Sequence, residues 1–235
     1  MKLSLNIEIY LNKENYSIPD VINDYFYFSK FMNEIFFQSS WYLTESSKKE
    51  ALEKKLIEND ILNKDIENIF VDKLTKSSPI YGSSIWNGDK NSIQISNYLF
   101  GSFDNYKVRL NLILEDPSAL QNKIKNSILS LIKNDFSLYK VLVHTNQYRL
   151  NESNVFPDRL PVGWMLYLNK KIMPEQVPMA AQLIHIDNEK NHGTLIISTD
   201  HVFDGENKDD IRKANEIEIQ LAGLGLLPLI REIYS

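Results

Sequence analysis

Apolar and polar residues alternate from the start of the chain. Leu3, Leu5, Ile7, Ile9 and Leu11 share one face of a strand at period two. The period then lengthens. Val21, Tyr25, Phe28, Met32 and Ile35 recur at helical spacing behind Pro19, a residue suited to a first helical turn. Phe26, Phe31, Phe36 and Phe37 put apolar surface on other sides, so this helix is expected to be buried nearly all round, although Tyr25–Phe28 also fits a strand. Trp41–Thr44 reads as a short strand. Ser47 and Glu50 form a capping box, and a charged helix is expected from there to about Lys76, with a break near Asn59. Leu52, Leu56, Leu62, Ile66, Phe70 and Leu74 supply its apolar side.

The middle of the chain reads as sheet. Asn87-Gly88 between Ile85-Trp86 and Ile93 is a hairpin signal. After a turn around Gly101 to Asn105, Tyr106, Val108, Leu110, Leu112 and Leu114 alternate with Lys107, Arg109 and Asn111, which predicts one buried face and one wet face. Asp116 caps a helix with Pro117 at its first position, and Leu120, Ile124, Ile128, Leu131 and Ile132 form its stripe. Strands are expected at Leu138–Gln147, Gly163–Leu168, Ala181–Asp187 and Thr194–Thr199. A last helix begins near Lys208, carries Asp209 and Asp210 in its first turn, and stops at Gly223 or Gly225 before Pro228.

Strands grouped in runs, with helices outside them, predict an α+β fold: a mainly antiparallel sheet with helices packed on it, in a single compact domain over residues 1–235. The segment Arg149 to Pro161 is the one plausible boundary, but its composition is not that of a flexible linker.

At 235 residues the chain can bury a core without covalent staples. It contains no cysteine, which excludes disulfides, thiolate chemistry and zinc–cysteine sites. Without a long apolar run or a signal-peptide core, a cytoplasmic protein with no membrane partner is expected. The formal net charge of −5 works against nucleic-acid binding and favours a basic protein partner. Lys107 and Arg109 near Tyr98, Phe100, Phe103 and Tyr106 outline a base-stacking platform, but no basic run accompanies them, so no nucleic-acid partner is expected.

Candidate chemistry is sparse. His185, Asp187, His192, Asp200 and His201 are residue types that bind zinc or manganese. Pairing across the expected hairpin sets Asp187 beside Thr194 and His185 near Ile196. Asp200 and His201 then fall more than about 15 Å away at roughly 3.4 Å per residue, so one compact site cannot use all five. A metal-dependent hydrolase built on His185 and Asp187 is the enzymatic alternative. No Gly-x-Ser-x-Gly elbow surrounds Ser198, and Gly223-Leu224-Gly225 follows a helix instead of preceding one. The remaining cluster is acidic: Asp200, Asp204, Glu206, Asp209 and Asp210, with Lys208 as its counter-charge. It suits a negative docking surface for a basic enzyme, and helix capping accounts for Asp209 and Asp210 equally well.

The order of features resembles the immunity 52 family of bacterial polymorphic-toxin systems. The resemblance rests on Gly163-Trp164-Met165-Leu166-Tyr167, on Pro178-Met179-Ala180 leading into a strand, on Gly193-Thr194-Leu195-Ile196-Ile197-Ser198-Thr199, and on the closing helix with Leu227-Pro228. Trp41-Tyr42-Leu43 and Gly82-Ser83-Ser84-Ile85-Trp86 extend it more loosely into the N-terminal half. It implies a non-enzymatic antidote without cofactors or catalytic residues. The implied partner is a cognate toxin effector, in many cases a basic nuclease domain delivered by contact-dependent or type VI secretion.

Overall fold

The structure, a computed structural model, describes residues 2–36, 40–100 and 103–233, apart from the side chains at 98–100, 103–105 and 135. Phe37 and Gly101 lie outside the described residues, as do the side chains of Tyr98, Phe100 and Phe103. The chain divides into two compact units, Met1–Asn12 with Ile113–Ser235, and Lys13–Leu112. Each combines helices with antiparallel strands, so the α+β class and the antiparallel pairing expected from the sequence are both present.

In the first unit the strands are β1 (Leu3–Leu11), β8 (Leu138–Thr145), β9 (Met165–Leu168), β10 (Gln182–Asp187) and β11 (His192–Ile197). Their order is β10-β11-β9-β8-β1. The helices are α4 (Pro117–Ser130), α5 (Asn146–Leu150) and α6 (Lys208–Gly223). Helix α4 starts as its sequence predicts: the Asp116 side chain accepts from Ala119 N at 3.2 Å, with Pro117 behind it. Its stripe is buried at Ile124 and Ile128, and Leu131 and Ile132 continue it through a single π-turn.

Both faces of β1 are buried. Leu3, Leu5, Ile7 and Ile9 fill one; Asn6, Glu8 and Tyr10 lie on the other. Several of the polar groups on this second face pair with one another, as desolvation favours. Tyr10 donates to Glu8 Oε2 at 2.7 Å, Asn6 donates to Asn146, and His144 Nε2 lies 3.8 Å from Glu8 Oε1.

In the second unit the order is β7-β6-β5-β2-β3-β4. These strands are β2 (Ser40–Leu43), β3 (Lys55–Glu58), β4 (Ile61–Leu62), β5 (Gly82–Trp86), β6 (Ser92–Phe100) and β7 (Phe103–Leu114). Tyr25–Phe28 is helical, within α1 (Ile18–Phe36), where Val21, Tyr25, Phe28, Met32 and Ile35 are buried. The Tyr25 hydroxyl ties this helix to the sheet: it donates to Ser83 O and accepts from Ile95 N.

Two expectations are corrected here. The long charged helix after Ser47 is instead α2 (Lys48–Glu53), a hairpin of β3 and β4, and α3 (Lys64–Ser77). Asn59 and Asp60 both take positive φ, 48° and 59°, the backbone of a two-residue primed turn. Asn63 then caps α3 through Asp65 N and Ile66 N. Interleaved charges imitate helical i,i+4 pairing through this stretch, and the turn lacks the glycine that would announce it. The face of β7 carrying Lys107 is not wet either. Lys107 is buried and Arg109 half-buried, and period-two alternation reports which residues share a face without reporting whether that face meets water.

One buried carboxylate organises the irregular segment after α5. Glu218 on α6 accepts from Tyr148 Oη at 2.8 Å, from Val162 N at 2.9 Å and from Val155 N at 2.8 Å. Burial raises its pKa, against the opposing effect of those three donors. A carboxyl whose folded-state pKa exceeds its unfolded value favours folding as the neutral acid. Its contribution is full at low pH and declines as pH rises through about 4.3. Replacement Glu218→Ala leaves the Val155 and Val162 N–H groups without their acceptor, while the Tyr148 hydroxyl keeps Asn215 Oδ1 at 3.0 Å, and should lower urea-measured stability by about 2–4 kcal/mol. Glu218→Gln keeps one acceptor oxygen and should cost less. Its deficit against the wild type should shrink as pH is raised from about 4 to 7; a deficit that grew over that range would contradict the raised pKa.

Candidate partner-binding cleft

Strand β11 ends against the segment that leads into β9. Ser198 N donates to Trp164 O at 2.9 Å, and Ser198 Oγ donates to Gly163 O at 2.6 Å. The hydroxyl is therefore fully buried and bonded to backbone, a structural role. Gly163 has φ +57°, and a Cβ there would meet Val143 O at 2.8 Å, so this bend requires glycine. The chain then leaves the sheet through Thr199, whose hydroxyl donates to His201 O at 2.8 Å.

The loop that follows carries the acidic cluster, and its residues have different fates. Asp210 is buried at 2% exposure, with its carboxylate turned inward. It accepts from Asp204 N at 2.9 Å and lies 2.9 Å from His201 Nε2. Asp204 is half-buried, and its Oδ1 accepts from Glu206 N at 2.9 Å. Asp200, Glu206 and Asp209 are exposed. Asn207 is the helix cap, accepting from Asp209 N at 2.9 Å and Asp210 N at 3.4 Å. Arg212 meets Asp209 at 3.1 Å, so the cluster has Arg212 as a cationic neighbour besides Lys208, and the His201 imidazole lies against Asp210.

The N-terminal turn of α4 faces this loop. The Gln121 side chain donates to Asp200 O. Glu115, Asp116, Pro117 and Ser118 form one wall of a cleft of about 560 Å³, and His201, Val202, Asp204, Asn207 and Asp210 form the other. Thus Asp204 and Asp210 line the cleft, Asp200 adjoins it, and Glu206 and Asp209 lie on the open surface beyond. Glu115 and Asp116 are members that the sequence did not announce: Asp116 is legible only as a cap, and nothing local reports that two helix starts meet. Glu115 also pairs with Lys2 at 3.1 Å. With four carboxylates and one imidazole on its walls, the cleft offers acceptors to a cationic side chain.

The histidines of the sheet are arranged differently from expectation. Across the β10–β11 hairpin His185 lies opposite Thr194 and Asp187 opposite His192, two residues from the expected register. The tight turn at Asn188–Asn191 sets this: Asn188 N donates to Asn191 O at 3.1 Å, and Asn188 Oδ1 accepts from Lys190 N and Asn191 N. Asp187 and His192 consequently pair at 2.6 Å, while His201 is committed to Asp210. Among the described residues no three His, Asp or Glu side chains converge as metal ligands, and no helix is long and apolar enough to cross a membrane.

No protein-family model matches the chain, and no curated protein matches its sequence. Among solved structures, the Pseudomonas aeruginosa T6SS protein PA0821 is similar to it, with a TM-score of 0.60 at 9% identity over 95% of this chain and 76% of that one. At that identity the likeness establishes a shared fold.

The acidic loop is seated by Gly205. A Cβ at this position would collide with Thr145 Oγ1 and come within 2.5 Å of Tyr148 N. Gly205→Ala should therefore displace the loop and lower stability by about 1–3 kcal/mol. Gly223→Ala has open space around it, and should leave stability unchanged or raise it by up to about 1 kcal/mol. Parallel urea titrations of the two variants check the contrast, and equal effects would remove Gly205 from this role.

Proposed function

We propose that this chain is a non-enzymatic immunity protein, of the kind the immunity 52 resemblance implies, which binds and neutralises a cognate secreted toxin. The observation that carries the reading is the fold it shares, over nearly its whole length, with a protein described as belonging to T6SS. Of the residues named in the sequence resemblance, those of the C-terminal third lie in the first unit and include its strands β9 (Met165–Leu168) and β11 (His192–Ile197), and the looser matches fall on β2 and β5 of the second. Inhibition by occlusion requires a surface of the right shape and sign and no reactive group.

The cleft between the starts of α4 and α6 is the surface we assign to contact. Its carboxylates suit an arginine or lysine from a groove that ordinarily holds phosphate, as in a basic nuclease domain. Opposite charge speeds encounter, whereas the lifetime of the complex depends on closely packed anchors. Electrostatic steering is screened by salt.

The test begins with the neighbouring reading frames, where a large secreted effector is expected. Co-expression should restore growth to cells producing that effector, and the purified proteins should form a stable complex. A failure of both would overturn the reading. The combined replacements Glu115→Lys, Glu206→Lys and Asp209→Lys lie on exposed positions and should slow association about tenfold at low salt, with little change in dissociation. The difference should narrow as ionic strength rises. Association kinetics indifferent to these replacements would place the contact on another surface.

A further inference from the structure

The end strand of the first unit is open in a way that natural sheet edges seldom are. Strand β10, Gln182-Leu183-Ile184-His185-Ile186-Asp187, begins the order β10-β11-β9-β8-β1. An unpaired edge is usually blunted by shortness, proline, lysine or a bulge. The end strand of the second unit, β4, is two residues long. Strand β10 has none of these devices. It contains no proline or lysine, and its register with β11 runs unbroken from Gln182↔Ile197 to Asp187↔His192.

The direction of its backbone groups follows from the turn. Asn188 N donates to Asn191 O, so the Asn188–Asn191 pair is hydrogen-bonded and the pairs alternate from there. Ile186, Ile184 and Gln182 bond to β11. Leu183, His185 and Asp187 therefore point N–H and C=O outward, where they meet no backbone partner among the described residues. Leu183 and Ile184 are half-buried, one on each face, which leaves apolar surface beside the open edge.

The charge along this edge is opposite to that of the whole chain. At one end Lys125 reaches Gln182 Oε1 at 3.2 Å. At the other, a cleft of about 630 Å³ is lined by Lys170, Lys171, His185, Asp187 and His192. Asp187 is the one carboxylate of this lining and hydrogen-bonds His192 at 2.6 Å, so the two lysines outnumber it and set the sign there.

We propose that the outer edge of β10 is a docking site for an extended, acidic segment of a partner polypeptide, which joins the sheet as an additional strand. The outward N–H and C=O groups of Leu183, His185 and Asp187 supply the main-chain ladder. Lys125, Lys170 and Lys171 select acidic side chains over basic ones. This surface is separate from the acidic cleft between α4 and α6, and the inference does not rest on that site's assignment.

The probes are two capped hexapeptides, one alternating glutamate with valine and the other alternating lysine with valine. Each is titrated into the full chain by fluorescence anisotropy at low salt. The glutamate peptide should bind at least about tenfold more tightly. Hydrogen exchange followed by NMR should slow at the Leu183, His185 and Asp187 amides on its addition, with Ile184 and Ile186 unchanged because they are bonded to β11 already. His185→Pro removes one outward N–H at an edge position that tolerates proline, and should weaken binding about tenfold or more. The pair Lys170→Glu and Lys171→Glu should erase the preference between peptides. Equal affinity for the two peptides, protection elsewhere, or no binding at millimolar peptide would overturn the proposal. So would a dimer in sedimentation equilibrium that His185→Pro converts to monomer, since the edge would then serve a second copy. If His185→Pro does not fold, the exchange pattern of the unmodified chain decides.

Discussion

Glu218 holds the least regular part of the first unit in place. A buried carboxylate is costly unless every lone pair it presents is met by a donor. Here two of the donors, Val155 N and Val162 N, come from the stretch between α5 and β9, which has no helix or strand to fix it, and the third is the hydroxyl of Tyr148 on α5. The dependence is mutual, because those N–H groups have no ladder to join and the carboxylate would be unpaired without them. Tyr148 passes the constraint on. Its ring stands edge-on to Phe203 at 5.1 Å, and its backbone N lies beneath Gly205. The acidic loop is thus seated by a chain of contacts that begins inside the protein. The exposed carboxylates are placed by a buried one.

This arrangement explains how much of the fold was legible. Helix α4 was readable from Asp116-Pro117 because a cap and its proline are local devices. The start of α6 was readable from first-turn carboxylates for the same reason. Strands β9 and β11 were readable as apolar runs. The β3–β4 hairpin was not: its turn is made by Asn59-Asp60 without glycine, and the charge spacing on either side is also that of a helix. Nor could alternation distinguish a wet face from a buried one. Asn6, Glu8 and Lys107 are polar in sequence and buried in the structure.

The candidate cleft was half legible. Asp204 and Asp210 stood out as acidic residues near a helix start, but their roles could not be separated. Asp210 is an internal acceptor and Asp209 an exposed charge, although they are adjacent in sequence and both fit a first helical turn. Glu115 and Asp116 entered the cleft only through tertiary structure, which sets the start of α4 against the loop before α6. Net charge was misleading in a related way. A formal −5 describes the chain as a whole, while the first unit carries an acidic cleft and, along β10, a cation-lined edge. Partners respond to the local field within about a Debye length, near 10 Å at ordinary ionic strength.

Register shows most directly where sequence reasoning stops. Side chains on a strand change face every residue, so a slip of two preserves the face and moves every cross-strand neighbour. The expected β10–β11 pairing differed from the observed one by that amount. His185 and Asp187 remained on a common face, as predicted, while their partners became Thr194 and His192. That exchange turned Asp187 from a candidate ligand beside a threonine into the hydrogen-bond partner of His192. It also determined which backbone groups of β10 turn outward, because the hydrogen-bonded pairs are counted from the turn. The geometry of four residues, Asn188 to Asn191, therefore governs both which side chains of this hairpin meet and which backbone groups of β10 face outward.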